Sequence, residues 1–286
     1  VQGGIVRLDT LLARATGRLT EAGSPSPRLD AELLLCHALG RDRTWLYTWG
    51  DREAPTLARA RCEALVAARA LGHPVAYLTG EREFWGLPLA THPSTLIPRP
   101  DTETLVEVAL ARATRAQGRL LDLGTGSGAI ALAFASERPG WQVLGVDRQP
   151  EAVALARRNA ERLGIANAAF RVSDWFVALA GERYALIVAN PPYVAEDDPH
   201  LAQGDVRFEP ASALVAGPEG LDDLRYLVAA AHEHLEPGGW LALEHGHAQG
   251  TAVRELLTAV GYADVASRRD LAGHERVSLG RRPTER

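Results

Sequence analysis

Six consecutive apolar residues, Tyr184-Ala-Leu-Ile-Val-Ala189, stop abruptly at Asn190-Pro191-Pro192-Tyr193. An apolar run this short, with no polar alternation, reads as a strand covered on both faces, the habit of parallel sheets. The two prolines end the strand and stiffen the chain beyond it, because each fixes φ and lacks an N–H donor. A rigid loop at the strand's carboxyl end then holds an amide, a spare backbone carbonyl and an aromatic ring. Those three groups suit gripping a planar, weakly nucleophilic NH2 group.

The chain around this run has the matching texture. Strands are expected at 119–123, 142–146, 168–172, 184–189 and 239–244, with helices between them at about 101–116, 128–138, 150–163 and 221–235. Such alternation implies a mostly parallel sheet with helices on both faces. A further helix at 247–260 and a strand pair at 262–267 and 275–280 close the series. The first seventy residues differ. Leu8, Leu11, Leu12, Ala15 and Leu19 recur at helical spacing, as do Ala31, Leu34, Leu35, Ala38 and Leu39, with Ser24-Pro-Ser-Pro27 between them. A third helix from about Pro55 to Leu71 buries Ala58, Cys62, Leu65 and Val66. The expected division is a helical bundle over 1–74, an extended hairpin or connector over 75–100, and an α/β domain over 101–286.

Bulk properties narrow the function. The 286 residues are 46% hydrophobic and 23% charged, as a globular chain should be, with ample length for two domains. No apolar stretch is long enough to span a bilayer and no secretory pattern is present, so a cytoplasmic location without membrane association is expected. The chain opens on Val1 and holds no methionine, which implies that its natural start is missing or altered. All 31 basic residues are arginine, yet the net charge is -5, which argues against a broad nucleic-acid-binding surface. Cys36 and Cys62 lie in helical patterns without metal-type spacing, and no H-E-x-x-H signature exists, so no metal is expected.

Leu120-Leu-Asp-Leu-Gly-Thr-Gly-Ser-Gly128 is a strand running through a glycine-rich turn into a helix. Glycines let backbone N–H groups approach a ligand, and the helix N-terminus adds partial positive charge. Asp147, at the end of the next strand, can accept both hydroxyls of a ribose. Gly124, Gly126 and Ala129 also fit the dinucleotide fingerprint G-x-G-x-x-G/A. Two features favour S-adenosylmethionine instead. Asp122 sits two residues before the first glycine, able to engage a cofactor's amino-acid end directly or through water. The Asn190–Tyr193 loop comes after the fourth strand, where it can meet a methyl donor lying across the sheet. Trp175, after the third strand, can flank an adenine ring or serve as a core aromatic.

Longer motifs carry a resemblance. Pro74-Val-Ala-Tyr-Leu-Thr-Gly-Glu-Arg-Glu-Phe-Trp-Gly-Leu-Pro-Leu89 and Thr95-Leu-Ile-Pro-Arg-Pro-Asp-Thr-Glu103 resemble the PrmC/HemK release-factor glutamine methyltransferases. So do Asp122–Gly128, Asn190–Tyr193, Arg207-Phe-Glu-Pro210 and Leu243-Glu-His-Gly246. The resemblance implies a Rossmann-like class I methyltransferase domain with a seven-stranded sheet, behind a helical domain that recognises the release factor. It implies methyl transfer from S-adenosylmethionine to the side-chain amide nitrogen of the glutamine in the Gly-Gly-Gln motif of class I release factors. Carried over, Gly124, Thr125, Gly126, Ser127, Gly128, Asp147, Trp175 and Asn190 fall on cofactor-contacting positions. Asn190, Pro191, Pro192 and Tyr193 fall on the substrate-glutamine loop, with Asn190, Pro191 and Tyr193 carrying the catalysis.

The residues themselves leave two rivals. A nucleobase methyltransferase shares Asn-Pro-Pro-Tyr but usually wants a basic face. A binding module without catalysis would have little use for an intact loop. Glu209 and His245 are read as structural, Arg99 as a partner either for a carboxylate or for packing, and a monomer is the default.

Overall fold

The structure, a computed structural model, describes residues 6–284. The chain forms two compact units. One holds the chain up to Glu81 together with His200–Phe208, and the other holds Arg82–Pro199 and everything from Glu209 onward.

The first unit is helical: α1 (Leu8–Glu21), α2 (Pro27–Leu39), α3 (Arg43–Thr48), α4 (Thr56–Ala70) and α5 (Val75–Thr79). Its core joins Leu8, Leu12 and Leu19 to Leu34, Leu35, Leu46, Cys62 and Val66. Burial pushes the Cys62 thiol up to about 11, which suits a packing role. Two helices lie outside the sequence expectation. Helix α3 is too short for a periodic signal, but Asp42 caps it by accepting the Trp45 N–H at 2.7 Å. Val75–Thr79 falls in the segment expected to be extended and is helical, enclosed by Pro74 before it and the left-handed Gly80 after it.

A buried ion pair draws the distant segment into this unit. Arg69 donates to Asp30 at 2.7 Å and to Asp205 at 2.6 Å, while Asp30 also accepts from the hydroxyls of Ser24 and Ser26. Arg207 donates to the Leu71 carbonyl at 2.9 Å, and the Phe208 ring lies 4.6 Å from that of His73. The division therefore differs from the expected cuts at 74 and 100, because side chains far along the sequence satisfy buried groups among the helices.

The second unit opens on the hairpin β1 (Glu81–Phe84) and β2 (Leu87–Ala90), then a 3-10 turn at Pro100–Thr102 and α6 (Glu103–Arg112). Next come β3 (Gly118–Leu123), α7 (Ala129–Glu137), β4 (Trp141–Asp147), α8 (Pro150–Leu163), β5 (Ala168–Val172) and β6 (Tyr184–Ala189). The series ends with α9 (Asp222–His234), β7 (Leu235–Glu244), α10 (Gly250–Val260), β8 (Ala263–Arg269) and β9 (Glu275–Arg281). The seven-stranded sheet runs β5-β4-β3-β6-β7-β9-β8, parallel except at β9. The terminal pair does close the sheet, with β9 inserted between β7 and β8.

Every residue of β6 is buried, as its unbroken apolar run requires. One core packs α6, α7 and α8 through Leu105, Ile130, Phe134 and Val153, and another packs α9 and α10 through Leu224, Leu227, Val253 and Leu257. Within the sheet, a Cβ on Gly145 would lie 2.6 Å from both the Thr125 hydroxyl and the Phe170 ring. That position admits only glycine without displacing the turn after β3.

Two stability measurements check this packing. Arg69→Ala strands Asp30 without its cation and should cost the helical unit about 3 kcal/mol, seen as lost hydrogen-exchange protection in α2 and α4; unchanged protection would show that the pair contributes nothing. Gly145→Ala should cost about 1–3 kcal/mol through overpacking, read as a lower Tm. An unshifted Tm would mean that Phe170 and Thr125 yield freely.

Candidate active site

In an open parallel sheet the crevice outside the strands' carboxyl ends, where strand order reverses, is the place for a ligand. Here order reverses between β3 and β6. A cavity lies there, lined by Gly124–Ser127 after β3, Asp147–Gln149 after β4, Ser173–Trp175 after β5, and Asn190 and Pro192 after β6. Ser94–Leu96, Pro98, Arg99 and Thr102 form another wall. Four strands and the segment before α6 thus converge on one space.

The floor is acidic. Asp122 is fully buried beneath the glycine turn and does not itself line the cavity. Its Oδ2 accepts the Thr125 hydroxyl at 2.7 Å and the Ala131 N–H at 3.2 Å, while its Oδ1 has no partner. Burial pushes its pKa up to about 7, against the opposing pull of those two donors. Asp147 lines the cavity, its Oδ2 accepting the Gly126 N–H at 3.0 Å and its Oδ1 the Gln149 N–H at 2.9 Å. Burial raises its pKa and the backbone donors lower it. Each oxygen keeps lone-pair capacity for a ligand hydroxyl. Trp175 takes a positive φ of 46° and sets its ring over Gly124, where a Cβ would lie 3.4 Å away. Gly128 points the other way: its missing Cβ faces Ala156, Leu132 and Phe170, so it serves packing behind the turn.

The loop after β6 is anchored along its length. Tyr193 and Val194 both donate N–H bonds to the Leu214 carbonyl, at 3.1 and 2.8 Å, and Gln249 donates to the Tyr193 carbonyl at 3.1 Å. Pro191 is buried and Pro192 borders the cavity. Asn190 Nδ2 donates to Thr102 Oγ1 at 3.3 Å. Tyr193 does not line the cavity; its hydroxyl donates to Glu244 Oε1 at 3.1 Å, at the carboxyl end of β7. Burial raises the Tyr193 pKa, and the neighbouring Glu244 carboxylate adds to it.

Two further titratable groups near the crevice serve structure. Arg99 pairs with Glu209, which also accepts the Ile97 N–H at 2.9 Å, so this pair braces the wall from 94 to 99. His245 is fully buried, with Nε2 bonded to the Ser278 hydroxyl at 2.8 Å and Nδ1 donating to the Gly246 carbonyl. Sequence reasoning passes over three residues that position the site: Asn159, Thr102 and Glu244. Asn159 Oδ1 accepts the Ala90 N–H at 2.8 Å, and its Nδ2 donates to the Ser127 carbonyl at 2.9 Å, tying the glycine turn to the hairpin. A lone amide on the apolar face of α8 is its only sequence signal.

This arrangement suits a nucleoside-bearing ligand, with a hydroxyl-accepting carboxylate, close backbone approach and an aromatic wall, beside a loop ending in a fixed amide. Relatives agree. A family model described as the PrmC N-terminal domain matches residues 10–80, and one described as the methyltransferase small domain matches residues 100–215. The chain is 56% identical to the release factor glutamine methyltransferase of Vibrio cholerae, over 98% of this chain and 99% of that one. The enzymes of that name from Escherichia coli and Pseudomonas aeruginosa are 54% and 58% identical, each match covering 90% of this chain and 93% of theirs. Two solved structures share the fold: a methyltransferase from Pyrococcus furiosus (TM-score 0.53, 21% identity, 77% of this chain and 98% of that one) and the hMettl16 catalytic domain (0.58, 17%, 76% and 80%). The sheet is that of the Rossmann-like class I methyltransferases, and the chain belongs to the release factor glutamine methyltransferase family.

Proposed function

We propose that this enzyme methylates the side-chain amide nitrogen of the glutamine in the Gly-Gly-Gln motif of class I release factors, taking the methyl group from S-adenosylmethionine. The observation that carries the reading is the Asn190 amide, fixed at the cavity edge one strand away from the glycine turn, in a chain that matches its family over nearly its full length.

The residues present fit the donor. Asp147 suits the ribose hydroxyls and Trp175 one face of the adenine, while Asp122, buried beneath the glycine turn, acts on the donor's amino-acid end only from behind the backbone. S-adenosylmethionine, when bound, supplies an electrophilic methyl on a sulfonium. The remaining task is to hold a poor nucleophile, because the amide lone pair is delocalised into its carbonyl. Asn190 Oδ1 and the Pro191 carbonyl are assigned the two N–H bonds of the substrate amide. Pro191 and Pro192 bring no N–H donors that would compete for those acceptors. Tyr193 is assigned to the substrate side of the loop, its hydroxyl anchored on Glu244. Orientation of this kind can supply roughly 7–11 kcal/mol of a barrier in favourable cases. The two acceptors also favour the transition state, in which the nitrogen gains positive charge. No metal enters this scheme.

The helical unit is assigned to recognition of the release factor. The net charge of -5 favours a protein substrate over direct nucleic-acid binding. Among the described residues no helix is long and apolar enough to cross a membrane. A monomer working in the cytoplasm completes the proposal.

Mass spectrometry of a release factor incubated with the enzyme and S-adenosylmethionine should show a gain of one CH2 on the Gly-Gly-Gln glutamine; transfer of label to RNA or DNA alone would refute the substrate. Asn190→Ala should lower turnover by about 10²–10³, in line with loss of one positioned polar group, while part of the cofactor affinity survives. Near-wild-type turnover would remove Asn190 from the chemistry. Asp147→Ala should weaken S-adenosylmethionine tenfold or more, since each hydrogen bond to a charged acceptor is worth about 1.5–3 kcal/mol. Calorimetry with unchanged affinity would place the ribose elsewhere.

A further inference from the structure

Pro191 and Pro192 fix their own φ and bring no N–H donors. The Asn190–Tyr193 loop is therefore stiff within itself but short of groups to fasten itself, and its placement is decided where the chain leaves it, at Tyr193 and Val194. The N–H groups of both residues donate to the Leu214 carbonyl, and the Val194 carbonyl accepts the Ala216 N–H at 3.0 Å. The Tyr193 carbonyl is met instead by a side chain, Gln249, whose Nε2 donates to it at 3.1 Å.

Gln249 stands at the start of α10, and its amide joins three segments around the carboxyl ends of β6 and β7. Besides Tyr193, Nε2 reaches the carbonyls of Gly220 at 3.2 Å and Glu219 at 3.4 Å, in the stretch before α9. Oε1 accepts the Gly246 N–H at 2.8 Å, in the turn after β7. Carbonyls on one side and an N–H on the other fix which way the amide lies, because reversing it would set its oxygen against the carbonyls. The three segments are in close contact. A Cβ on Gly220, where φ is +70°, would collide with the Tyr193 carbonyl. Gln249 itself does not line the cavity.

We infer that Gln249 is a positioning residue for methyl transfer. By holding the Tyr193 carbonyl it sets the Asn190 amide and the Pro191 carbonyl where they meet the substrate nitrogen. The inference rests on the proposed role of this loop in gripping the substrate amide. With two φ angles fixed by proline, a rotation of the peptide between Tyr193 and Val194 is passed back to Asn190 instead of being absorbed on the way. The bond from the Tyr193 hydroxyl to Glu244 restrains the ring and leaves that peptide free to turn. Only a group that donates and accepts at once can hold the Tyr193 carbonyl and the Gly246 N–H together, and a carboxylate of the same shape only accepts.

The test compares Gln249→Leu, Gln249→Glu and Asn190→Ala at saturating S-adenosylmethionine and release factor. Gln249→Glu keeps the acceptor for Gly246 but loses both protons for the carbonyls, so it separates holding the loop from merely capping the turn before α10. Both Gln249 variants should lower kcat by about 10- to 100-fold, the reach of a misplacement of about 1 Å, while calorimetric affinity for S-adenosylmethionine changes less than about twofold. A Gln249→Glu enzyme with wild-type kcat beside an impaired Gln249→Leu would reduce Gln249 to a cap and overturn the inference. So would wild-type kcat in both, or a fall in donor affinity as large as the fall in kcat. If the buried charge of Gln249→Glu prevents folding, Gly220→Ala decides instead. Its methyl group pushes on the same carbonyl while Gln249 stays intact, and wild-type kcat there would equally overturn the inference. An active Asn190→Ala would defeat the loop's substrate role; an inactive Asn190→Ala beside fully active Gln249 variants would defeat only the positioning by Gln249.

Discussion

Between β3 and β6 the sheet changes direction of growth: β4 and β5 build away on one side, β7, β9 and β8 on the other. Right-handed crossovers then send the connecting helices to opposite faces, with α7 and α8 in one core and α9 and α10 in the other. The carboxyl ends of β3 and β6 are left with chains departing in opposite senses, and the gap between them cannot close. Every feature of the site derives from this gap. The glycine turn stands on one lip and the Asn190–Tyr193 loop on the other, the two sides to which the proposed function assigns the donor and the substrate.

Burial of charge gives the site its chemistry. Asp122 and Glu244 each sit at the carboxyl end of a parallel strand, each with one unpartnered oxygen, and each is raised to a pKa of about 7 by loss of solvent. Such groups cost stability, which persists because the apolar cores on both faces are extensive. Both lie at the gap, Asp122 beneath the glycine turn and Glu244 behind the Asn190–Tyr193 loop. Two arginines, by contrast, are neutralised locally. Arg99 is held by Glu209, and Arg69 by Asp30 and Asp205, so each stiffens a segment.

How much is legible in the sequence depends on the range of each signal. The strands at 168–172 and 184–189 and the helix at 150–163 match their expected limits, because apolar periodicity and flanking Gly or Pro are local properties. The short helices at Arg43–Thr48 and Val75–Thr79 escape such reading, since five or six residues hold too little periodicity to outweigh neighbouring prolines and glycines. The transfer of His200–Phe208 to the helical unit is equally hidden, because Asp205 and Arg207 find their partners more than a hundred residues away.

By itself the sequence determined the parallel sheet, the glycine turn, the stiff loop after β6 and the family, because each is written in contiguous residues whose backbone preferences act over a few positions. Tertiary structure alone decided which polar groups stand behind those motifs. Asn159 bridges the hairpin and the glycine turn, Glu209 holds Arg99, and Thr102 with Glu244 meets the loop from two other elements. A hydrogen bond is set by distance in space, and residues 88 or 51 positions apart carry no mark of being neighbours until folding has brought their segments together.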